Sequence, residues 1–474
     1  MKALDRKLWR DLRLMWSQAL TIAAVVASGV AGFVTTLSAV VSLERARADF
    51  YASGRFADLF ATVKRAPMSL ADRLRDVPGV AELQLGTEVV VRIERPGSPD
   101  PIIGRLIGVP RGDPPGLNRV TLRDAGAHAL QAGPGAPLPD GALPAWVSES
   151  FAIAHGLRPG DRLSAVINGR ERALQMAGTA MSPEYIFAGI LGMPDMRGFG
   201  VFWVDAEALE AAWDMKGAFN RVAVKLAPGA RAQVTRDAMA RQLTRYGGRE
   251  VQERNDQVSH VMLDNEIKEQ RVMGTMLPAI FLGVAAFLLN VVVSRLVATQ
   301  REQIAALKAL GYGNRAIAVH YLQLVGVIVA VGLVGGVVLG KWLGGLLLGL
   351  YVEFFRFPSF EHVLAPSLVL LAGGLTVLTA LAGTLGAIAA TVRLSPAEAM
   401  RPPAPGRYRP TLLERLGLAR VGTVARMILR QAERRPWRTG LSVVGVAAAV
   451  AIVVLGNFFR DAIDHIVDGQ VNSV

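Results

Sequence analysis

The stretch TQREQIAALKALGYGNRAIAVHYLQ, residues 299–323, lies between two segments that carry no charged residue, 272–294 and 322–340. An α-helix rises about 1.5 Å per residue and must cross roughly 30 Å of hydrocarbon, so each of these segments is long enough to span a membrane. The charged stretch between them is therefore a short polar connection between two predicted spans.

Three further uncharged runs have the same character: 16–43, 363–392 and 439–459. Together the runs predict five spans. Buried helices of a soluble protein would be shorter and amphipathic, which these runs are not. The first run is too long for the apolar core of a cleaved signal peptide and has no small-x-small cleavage site, so we expect a retained anchor.

The basic residues indicate the orientation of the spans. The chain has 474 residues, 51% of them hydrophobic, and a formal charge of +13. The segments before span one, between spans two and three, and between spans four and five hold 20 basic and 6 acidic residues, whereas 44–271 holds 29 and 28. The positive-inside rule therefore places the first three segments in the cytoplasm. Anionic membrane lipid, with no nucleic acid, is the predicted partner of the basic linker.

The long segment between spans one and two is predicted to fold as an α/β domain. TEVVVRIER and IIGRLIGV alternate as strands do, and Ser148 is placed to cap a short helix. Asn168-Gly169 predicts the tip of a hairpin. Residues 257–270 read as a helical stalk that continues into span two. The predicted fold class is an α-helical membrane protein of about five transmembrane helices, with a large α/β extracytoplasmic domain between helices one and two.

The predicted domain organisation follows the charge and hydropathy pattern along the chain. The segments are the cytoplasmic N-terminus and TM1 (1–43), the extracytoplasmic core domain (44–256), the stalk (257–271), TM2 (272–294), the cytoplasmic helix-turn-helix (295–321), TM3 (322–346), an outer loop (347–362), TM4 (363–392), a basic cytoplasmic linker (393–438), TM5 (439–459) and the start of a second extracytoplasmic segment (460–474).

A faint internal repeat relates the two ends of the chain. LRLMWSQALTIAAVVASGVAGF and ERRPWRTGLSVVGVAAAVAIVV each place an Arg-flanked Trp before a span rich in small residues. The sequence is consistent with a five-span protein or with the first part of a longer two-repeat chain, and the second interpretation is favoured.

The connection at 299–323 predicts a helical knob. Ile304, Leu307 and Leu310 form an apolar stripe, Gly311 is placed to end the helix in the left-handed conformation, and Asn314 to cap the next one. We expect the first of these helices to continue span two without a break. The alternative is an ordinary helical hairpin loop.

These residues also carry a family resemblance. REQIAALKALGYGNRAI resembles the cytoplasmic stretch of FtsX/MacB-type ABC transporter permeases, and RLSPAEAMRP resembles the close of their permease module. VPGVAEL and LRPGDRLSAVINGRERALQMAGTA are similar in style to the family's periplasmic core, and the order of spans and domain agrees as far as about Met400. Gln303, where the family commonly has an apolar or acidic residue, is a departure, and so is the missing second repeat.

The resemblance implies a function and partners. It implies a non-catalytic permease subunit of the bacterial inner membrane, driven by a separate cytoplasmic ATPase and assembled as a homodimer or with a second permease half. A periplasmic adaptor is a further expected partner, and the expected cargo is a lipid, lipoprotein, peptide or drug-like molecule. The implied ATPase-coupling residues are Arg301, Glu302, Ile304, Leu307, Lys308, Leu310 and Gly311. The alternative is a membrane regulator that controls a periplasmic enzyme such as a cell-wall hydrolase without transport.

Small residues repeat every four positions in two spans and predict close helix packing. They are Gly332, Gly336, Gly340 and Gly344 in span three, and Ala24, Ser28 and Gly32 in span one. GGVVLGK, residues 335–341, fits a phosphate-binding loop, but Trp342 replaces the hydroxyl residue that would hold magnesium. Snorkelling to the headgroups is favoured over an intramembrane function for Lys341.

We predict no catalytic residue, no metal site and no cofactor. The chain has no cysteine, and its six histidines are scattered without metal-ligand spacing. Ser148 and His155 lack the surroundings of a hydrolase nucleophile. The apolar loop YIFAGILGMPDMRGFG is open to two interpretations, contact with a lipid or lipoprotein and, favoured, a place in a domain core or interface.

Overall fold

The computed structural model describes residues 3–95, 102–111, 116–123, 134–186, 189–190, 193–248 and 250–392, and parts of 439–458. The predicted basic linker 393–438, with RLSPAEAMRP, and the predicted segment 460–474 lie outside the described residues. So do eight of the 21 residues of the predicted span 439–459.

The helices fall into long and short ones. They are α1 (Ala3–Leu14), α2 (Trp16–Ser53), α3 (Ala71–Arg75), α4 (Glu149–His155), α5 (Ala206–Ala212), α6 (Ala232–Leu243), α7 (Val258–Thr299), α8 (Arg301–Ala309), α9 (Asn314–Phe354) and α10 (Pro366–Val392). Within the described residues, four stretches are long and apolar enough to cross a membrane: Trp16–Ser53, Val258–Thr299, Asn314–Phe354 and Pro366–Ala389. They correspond to the first four predicted spans.

The strands lie between α2 and α7, as predicted. They are β1 (Leu59–Pro67), β2 (Val80–Gly86), β3 (Glu88–Glu94), β4 (Ile102–Val109), β5 (Thr121–Leu122), β6 (Leu143–Ser148), β7 (Arg162–Ile167), β8 (Arg170–Met181), β9 (Gly189–Ile190), β10 (Met193–Pro194), β11 (Phe199–Asp205), β12 (Ala218–Leu226) and β13 (Gln252–Glu253).

The chain divides into two compact units. Of the described residues, the helix bundle comprises 3–39, 270–347, 363–392 and the described parts of 439–458, and the outer unit comprises those within 40–269 and 348–362. The core of the bundle is formed by apolar side chains of its long helices, among them Val26, Leu289, Leu324 and Ala380. Leu8 and Leu12 of α1 pack against the same core.

The outer unit contains two main sheets. One has the strand order β13-β1-β12-β2 and is antiparallel throughout. Its core joins Leu59 and Val222 of the sheet to Leu74 of α3 and Met239 of α6. Because α3 and α6 pack on this sheet, this part of the outer unit consists of one layer of helices and one layer of strands.

The other sheet closes on itself. Its strands follow the order β8-β6-β11-β4-β3-β7, and the barrel closes because β7, the last strand, pairs with β8, the first. β5 pairs with the C-terminal residues of β8, Ala180 and Met181. Apolar side chains of alternate residues, including Val91, Leu106, Leu174 and Phe202, fill the resulting barrel. The β7–β8 hairpin turns at Asn168 and Gly169, whose φ angles of 48° and 73° are those expected for this dipeptide.

The predicted cap at Ser148 needs a correction. Ser148 does occupy the residue before α4, but its hydroxyl makes no capping bond. Instead Ser148 Oγ accepts a hydrogen bond from Val201 N at 3.1 Å, so it joins β6 to β11 inside the barrel sheet. The hydroxyl of Ser148 thus bonds to the backbone of a neighbouring strand and not to the first turn of α4.

Candidate coupling site

The predicted knob consists of α8 and the turn that follows it. α8 ends in a Schellman motif, in which Tyr312 N donates to Leu307 O and Gly311 N donates to Lys308 O, each at 3.0 Å. Gly311 has φ = 91°, the left-handed conformation that its position predicted. α9 begins at Asn314, so the reversal of the chain is complete within four residues of the end of α8.

The helix entering the knob is not continuous, which corrects the prediction. Gln300, between α7 and α8, has φ = −95° and ψ = 14°, outside the α-helical region. Hydrogen bonds from Gln300 N to Leu296 O and from Ile304 N to Gln300 O, both 2.9 Å, persist on either side. The irregularity is thus confined to one residue.

Contacts of the Gln300 side chain explain this break. Lys7 Nζ of α1 donates to Gln300 Oε1 at 2.8 Å, and the Tyr321 hydroxyl of α9 donates to the same oxygen at 2.9 Å. Gln300 and Tyr321 are both buried. Donors from two other helices therefore hold the amide in place, at the expense of ideal helix geometry at this residue.

A buried charge cluster lies beside this amide. Lys7 forms an ion pair with Asp11, and His320 Nε2 lies 3.6 Å from Asp11 Oδ2. Asp11 and His320 are each 2% exposed. Burial by itself raises the pKa of Asp11, but the contacts with His320 and Lys7 outweigh it and the net pKa is lowered. The cluster fixes α1 to the residues on both sides of α8.

The predicted coupling residues differ in their exposure. Ile304 is only 2% exposed and holds α8 to the core of the bundle. Leu310, at the tip, is 77% exposed. Glu302 is exposed as well, whereas Arg301, Leu307 and Lys308 are half-buried. The knob thus presents Glu302 and Leu310 outward on a helix anchored by Ile304.

The predicted glycine face of α9 packs on α2. A Cβ added at Gly332, Gly336 or Gly340 would lie 2.6–2.8 Å from the Cβ atom of a valine on α2; these valines are Val26, Val30 and Val34. Such distances are too short for any side chain, so the two backbones approach closely here. Gly344, one turn further along, is buried.

The predicted small residues of α2 lie differently. Ala24 and Ser28 are exposed, and Gly32 is half-buried. A Cβ on Gly32 would be 3.7 Å from Pro278 of α7, and one on Gly29 would be 3.0 Å from the Cβ of Phe281. The close approach of α7 to α2 is therefore at Gly29, which the fourfold register in the sequence did not include.

In the outer unit, three helix ends are joined by polar contacts. Arg47 of α2 bonds Asp264 of α7 at 3.0 Å, and the Tyr51 hydroxyl lies 2.9 Å from His260 Nδ1. Tyr351 of α9 donates to Glu266. These contacts hold the first turns of α7, the predicted stalk, between the ends of the other two helices.

The same helix ends are attached to the sheets. Gln257 Nε2, immediately before α7, donates to Glu184 O at 2.9 Å. In the loop after α9, Arg356 N donates to Ile186 O at 3.4 Å and the ring of Phe357 packs edge-on against Phe50. The stalk is thereby bound to the folded part of the outer unit at several points.

A row of alternating charges lies under this attachment. Glu184 pairs with Arg221, Arg221 Nε lies 3.3 Å from Glu88, and Glu88 pairs with Arg105 at 2.8 Å. Burial raises the pKa of Glu184 against the opposing effect of the Arg221 guanidinium. The row borders a cavity of about 510 Å³ whose wall also includes the start of α7. The two members of each ion pair belong to segments that are distant in sequence. The spacing of charged residues along the chain therefore could not predict these pairs.

The remaining candidate motifs find structural explanations. The segment 335–341 is helical throughout, within α9, and Lys341 is exposed. Phe199 of the apolar loop is buried beside Trp203, while Phe187 and Leu191 lie outside the described residues. Across the described ranges, the His, Asp and Glu side chains form no group of three that could hold a metal ion.

These elements define a multi-pass membrane protein with a folded domain between its first two spans. Residues 275–396 match the family of the FtsX-like permease C-terminal domain, which confirms the family resemblance of the sequence. Such permeases are in general non-catalytic transport subunits that pair with a cytoplasmic ABC ATPase, and the match supports an ABC transporter permease-type role for this chain.

Two solved structures are similar to part of the chain. The extracellular domain of the noncanonical ABC-type transporter YknZ from Gram-positive bacteria is 13% identical, with a TM-score of 0.26, covering 42% of this chain and 99% of that one. The periplasmic region of MacB from Actinobacillus actinomycetemcomitans is 10% identical, with a TM-score of 0.26, covering 45% and 92%. No curated protein sequence matches the chain.

Proposed function

We propose that this chain is the transmembrane subunit of an ABC transporter in which a separate ATPase pushes on α8 and α7 carries the motion to the outer unit. The observation that carries the proposal is α7 itself, one helix of 42 residues between α8 and the outer unit. At about 1.5 Å per residue it is roughly 63 Å long, which exceeds the thickness of a bilayer.

Both ends of this helix have the contacts that a mechanical element requires. At one end, Gln300 and the Schellman turn fix α8, so a force on Leu310 is transmitted through backbone and buried contacts rather than lost in a loose loop. At the other end, Arg47, Tyr51 and Gln257 bind the stalk. Packed elements of this kind move as bodies.

The finer parts of the proposal are supported by the family resemblance alone. The chain lies in a bacterial inner membrane with its N-terminus in the cytoplasm and the outer unit in the periplasm. It works as a homodimer or with a second permease half around the ATPase dimer, with a periplasmic adaptor as an additional partner. The cargo is a lipid, lipoprotein, peptide or drug-like molecule taken from the periplasmic side.

The test is the ATPase activity of the cognate ATPase reconstituted with this chain. We expect Leu310→Asp and Leu307→Asp to abolish the stimulation of hydrolysis. Each places a carboxylate at the surface by which α8 is proposed to bind the ATPase, and desolvating this charge would weaken the contact. Gly311→Val, which forces valine to φ = 91°, has the same expected effect. Leu310 is exposed, so its variant tests the contact even if Leu307→Asp fails to fold.

Matched controls lie in the outer unit. Ile153→Asp makes the same change at an exposed position, and Gly169→Val imposes the same strain at a hairpin tip with φ = 73°. Both should keep the stimulation. Unchanged stimulation in the α8 variants, with membrane insertion intact, would contradict the proposal. Stimulation only by a periplasmic protein, and never by a lipid, lipoprotein or peptide, would instead identify a regulator that does not transport.

A further inference from the structure

The outward face of α1 combines cationic and apolar side chains. Arg6, Trp9, Arg10 and Arg13 follow the i, i+3, i+4, i+7 spacing of one helix face and are all exposed. Trp9 is 56% exposed, and Leu14 and Trp16, which follow it, are 79% and 67% exposed. Of the two carboxylates of α1, Asp11 points into the bundle and Asp5 is half-buried at the edge of this face, so the three exposed arginines leave the face cationic.

The opposite face of α1 determines where the helix lies. Leu8 and Leu12 pack on the core of the bundle, and Lys7 and Asp11 take part in the buried cluster. Only Met15 separates α1 from α2, whose uncharged run begins at Trp16. A helix attached this closely to a spanning helix is held at the boundary between hydrocarbon and water, with its exposed face available to lipid.

We propose that the exposed face of α1 is a binding site for anionic phospholipid headgroups of the leaflet beside α8. The three arginines supply charge complementarity to phosphate, and Trp9 and Trp16 have the amphipathic rings that favour the level of the headgroups. Arginine is suited to this role because its planar guanidinium binds phosphate oxygens in pairs.

The site has a regulatory consequence, which rests on the proposed function. Lys7 and Asp11 connect the bound helix to Gln300 and His320, the residues next to α8 and within α9. Anionic lipid that fixes α1 therefore also fixes Gln300, the residue before α8. The lipid composition of the membrane would set how firmly the coupling helix is held.

The first experiment measures local lipid enrichment on the full chain in nanodiscs. Because the chain contains no cysteine, a fluorophore on Leu14→Cys is a unique label beside the site. Its quenching is compared between nanodiscs that contain nitroxide-labelled phosphatidylglycerol and nanodiscs that contain nitroxide-labelled phosphatidylcholine in equal proportion. We expect stronger quenching by phosphatidylglycerol, and a decrease of this preference at high salt.

Charge variants make this test specific. In Arg6→Gln/Arg10→Gln/Arg13→Gln the affinity of the face for phosphatidylglycerol relative to phosphatidylcholine should fall by roughly fivefold for each arginine removed. Quenching by the two lipids should then become nearly equal. Arg158→Gln/Arg170→Gln/Arg172→Gln removes the same charge from exposed positions of the outer unit and should keep the preference. Equal quenching by the two lipids in the unmodified chain would overturn the proposal. Absence of quenching by either lipid would overturn it too, because the face would then be covered by protein, such as a second copy of the chain, and not by lipid.

The second experiment tests the connection to α8. A nitroxide on Gln303→Cys, an exposed position of α8, should be less mobile in nanodiscs with phosphatidylglycerol than in nanodiscs with phosphatidylcholine alone. The arginine triple variant should lose this difference. Equal mobility despite lipid enrichment at Leu14 would overturn the regulatory consequence. Neither readout needs the ATPase, so failure of the proposed function would be seen separately, as normal lipid binding with no effect of α8 variants on hydrolysis.

Discussion

Gln300 shows how a single side chain determines the geometry of the candidate site. Glutamine is a good helix former, and nothing in its own preference ends α7 at Thr299. The break exists because one amide oxygen accepts hydrogen bonds from Lys7 and Tyr321, which belong to other helices. The residue joins three segments of the bundle at the point where α8 begins.

Replacing Gln300 by alanine should therefore weaken the bundle. The Tyr321 hydroxyl and one donor of Lys7 would lose their acceptor in a buried place, which costs about 1–3 kcal/mol. We expect a lower midpoint of thermal unfolding in detergent and a weaker stimulation of the partner ATPase. Gln303→Ala, on the exposed side of α8, is the control for stability and should leave the unfolding midpoint unchanged. Equal unfolding midpoints for the two variants would refute this role.

The pH dependence of α1 docking should follow Asp11. Its pKa lies below the ordinary value of 3.8, so ionised Asp11 stabilises the folded state fully above that value, and the stabilisation is lost as the pH falls through the lower folded pKa. Asp11→Asn should thus be less stable than the unmodified chain at neutral pH, with the difference constant down to about 3.8 and shrinking below it. Thermal unfolding across the acid range measures this. A difference that grows on acidification would mean that the pKa of Asp11 is raised instead.

The sequence was informative at the residue scale where the chemistry is local. Gly311 was predicted from its position after an apolar stripe, because a left-handed helix end favours a residue without a side chain. Gln300 and Asp11 were not predicted, since their partners lie far away along the chain. Of the contacts in that cluster, only the ion pair of Lys7 with Asp11 could have been predicted, from their i, i+4 spacing.

Among the elements, the face of α9 against α2 depends most on residue size. The fourfold glycine register predicted that α9 packs closely on a neighbour but did not identify the neighbour. The structure places the valine row of α2 against it. On α2 the close approach to α7 is at Gly29 and not at Ala24 or Ser28. The sequence shows which residues share a face of a helix, but the neighbouring helices determine which face is turned toward them.

Gly336→Val should force α9 and α2 apart. The added Cβ alone would lie 2.6 Å from the Cβ of Val30, and overpacking of this kind costs about 1–3 kcal/mol. We expect a lower yield of monodisperse protein and a lower unfolding midpoint. Gly345→Val is the matched control on the same helix, since an added Cβ there has open space around it. If both variants behave alike, the close approach is not a determinant of stability.

For the whole molecule, the sequence predicted the order of spans and domain better than their details. Uncharged length identified the four spanning helices that the structure describes, and alternation identified the strands between the first two. The closure of the barrel was not predictable, because besides the predicted β7–β8 hairpin it depends on pairings between strands distant in sequence, β3 with β7, β4 with β11 and β6 with β8. The orientation in the membrane rests on the charge distribution and stays a prediction.

Accessibility labelling tests this orientation directly. A membrane-impermeant maleimide applied to intact cells should label Ile153→Cys, an exposed residue of the outer unit, and should label Leu310→Cys only after the membrane is permeabilised. The absence of native cysteines makes each label unique. Labelling of Leu310→Cys in intact cells would reverse the topology, and with it the side from which the ATPase acts.

The closed barrel of the outer unit affects how that unit withstands traction. Each of its six strands has a neighbour on both sides, so no strand can be unzipped one hydrogen bond at a time from a free margin. To separate any strand, two rows of hydrogen bonds must be sheared simultaneously, and the side chains that fill the interior must be exposed to water. Repeated tugging would therefore tear at the margins of the other sheet, β13 and β2, before it tore the barrel.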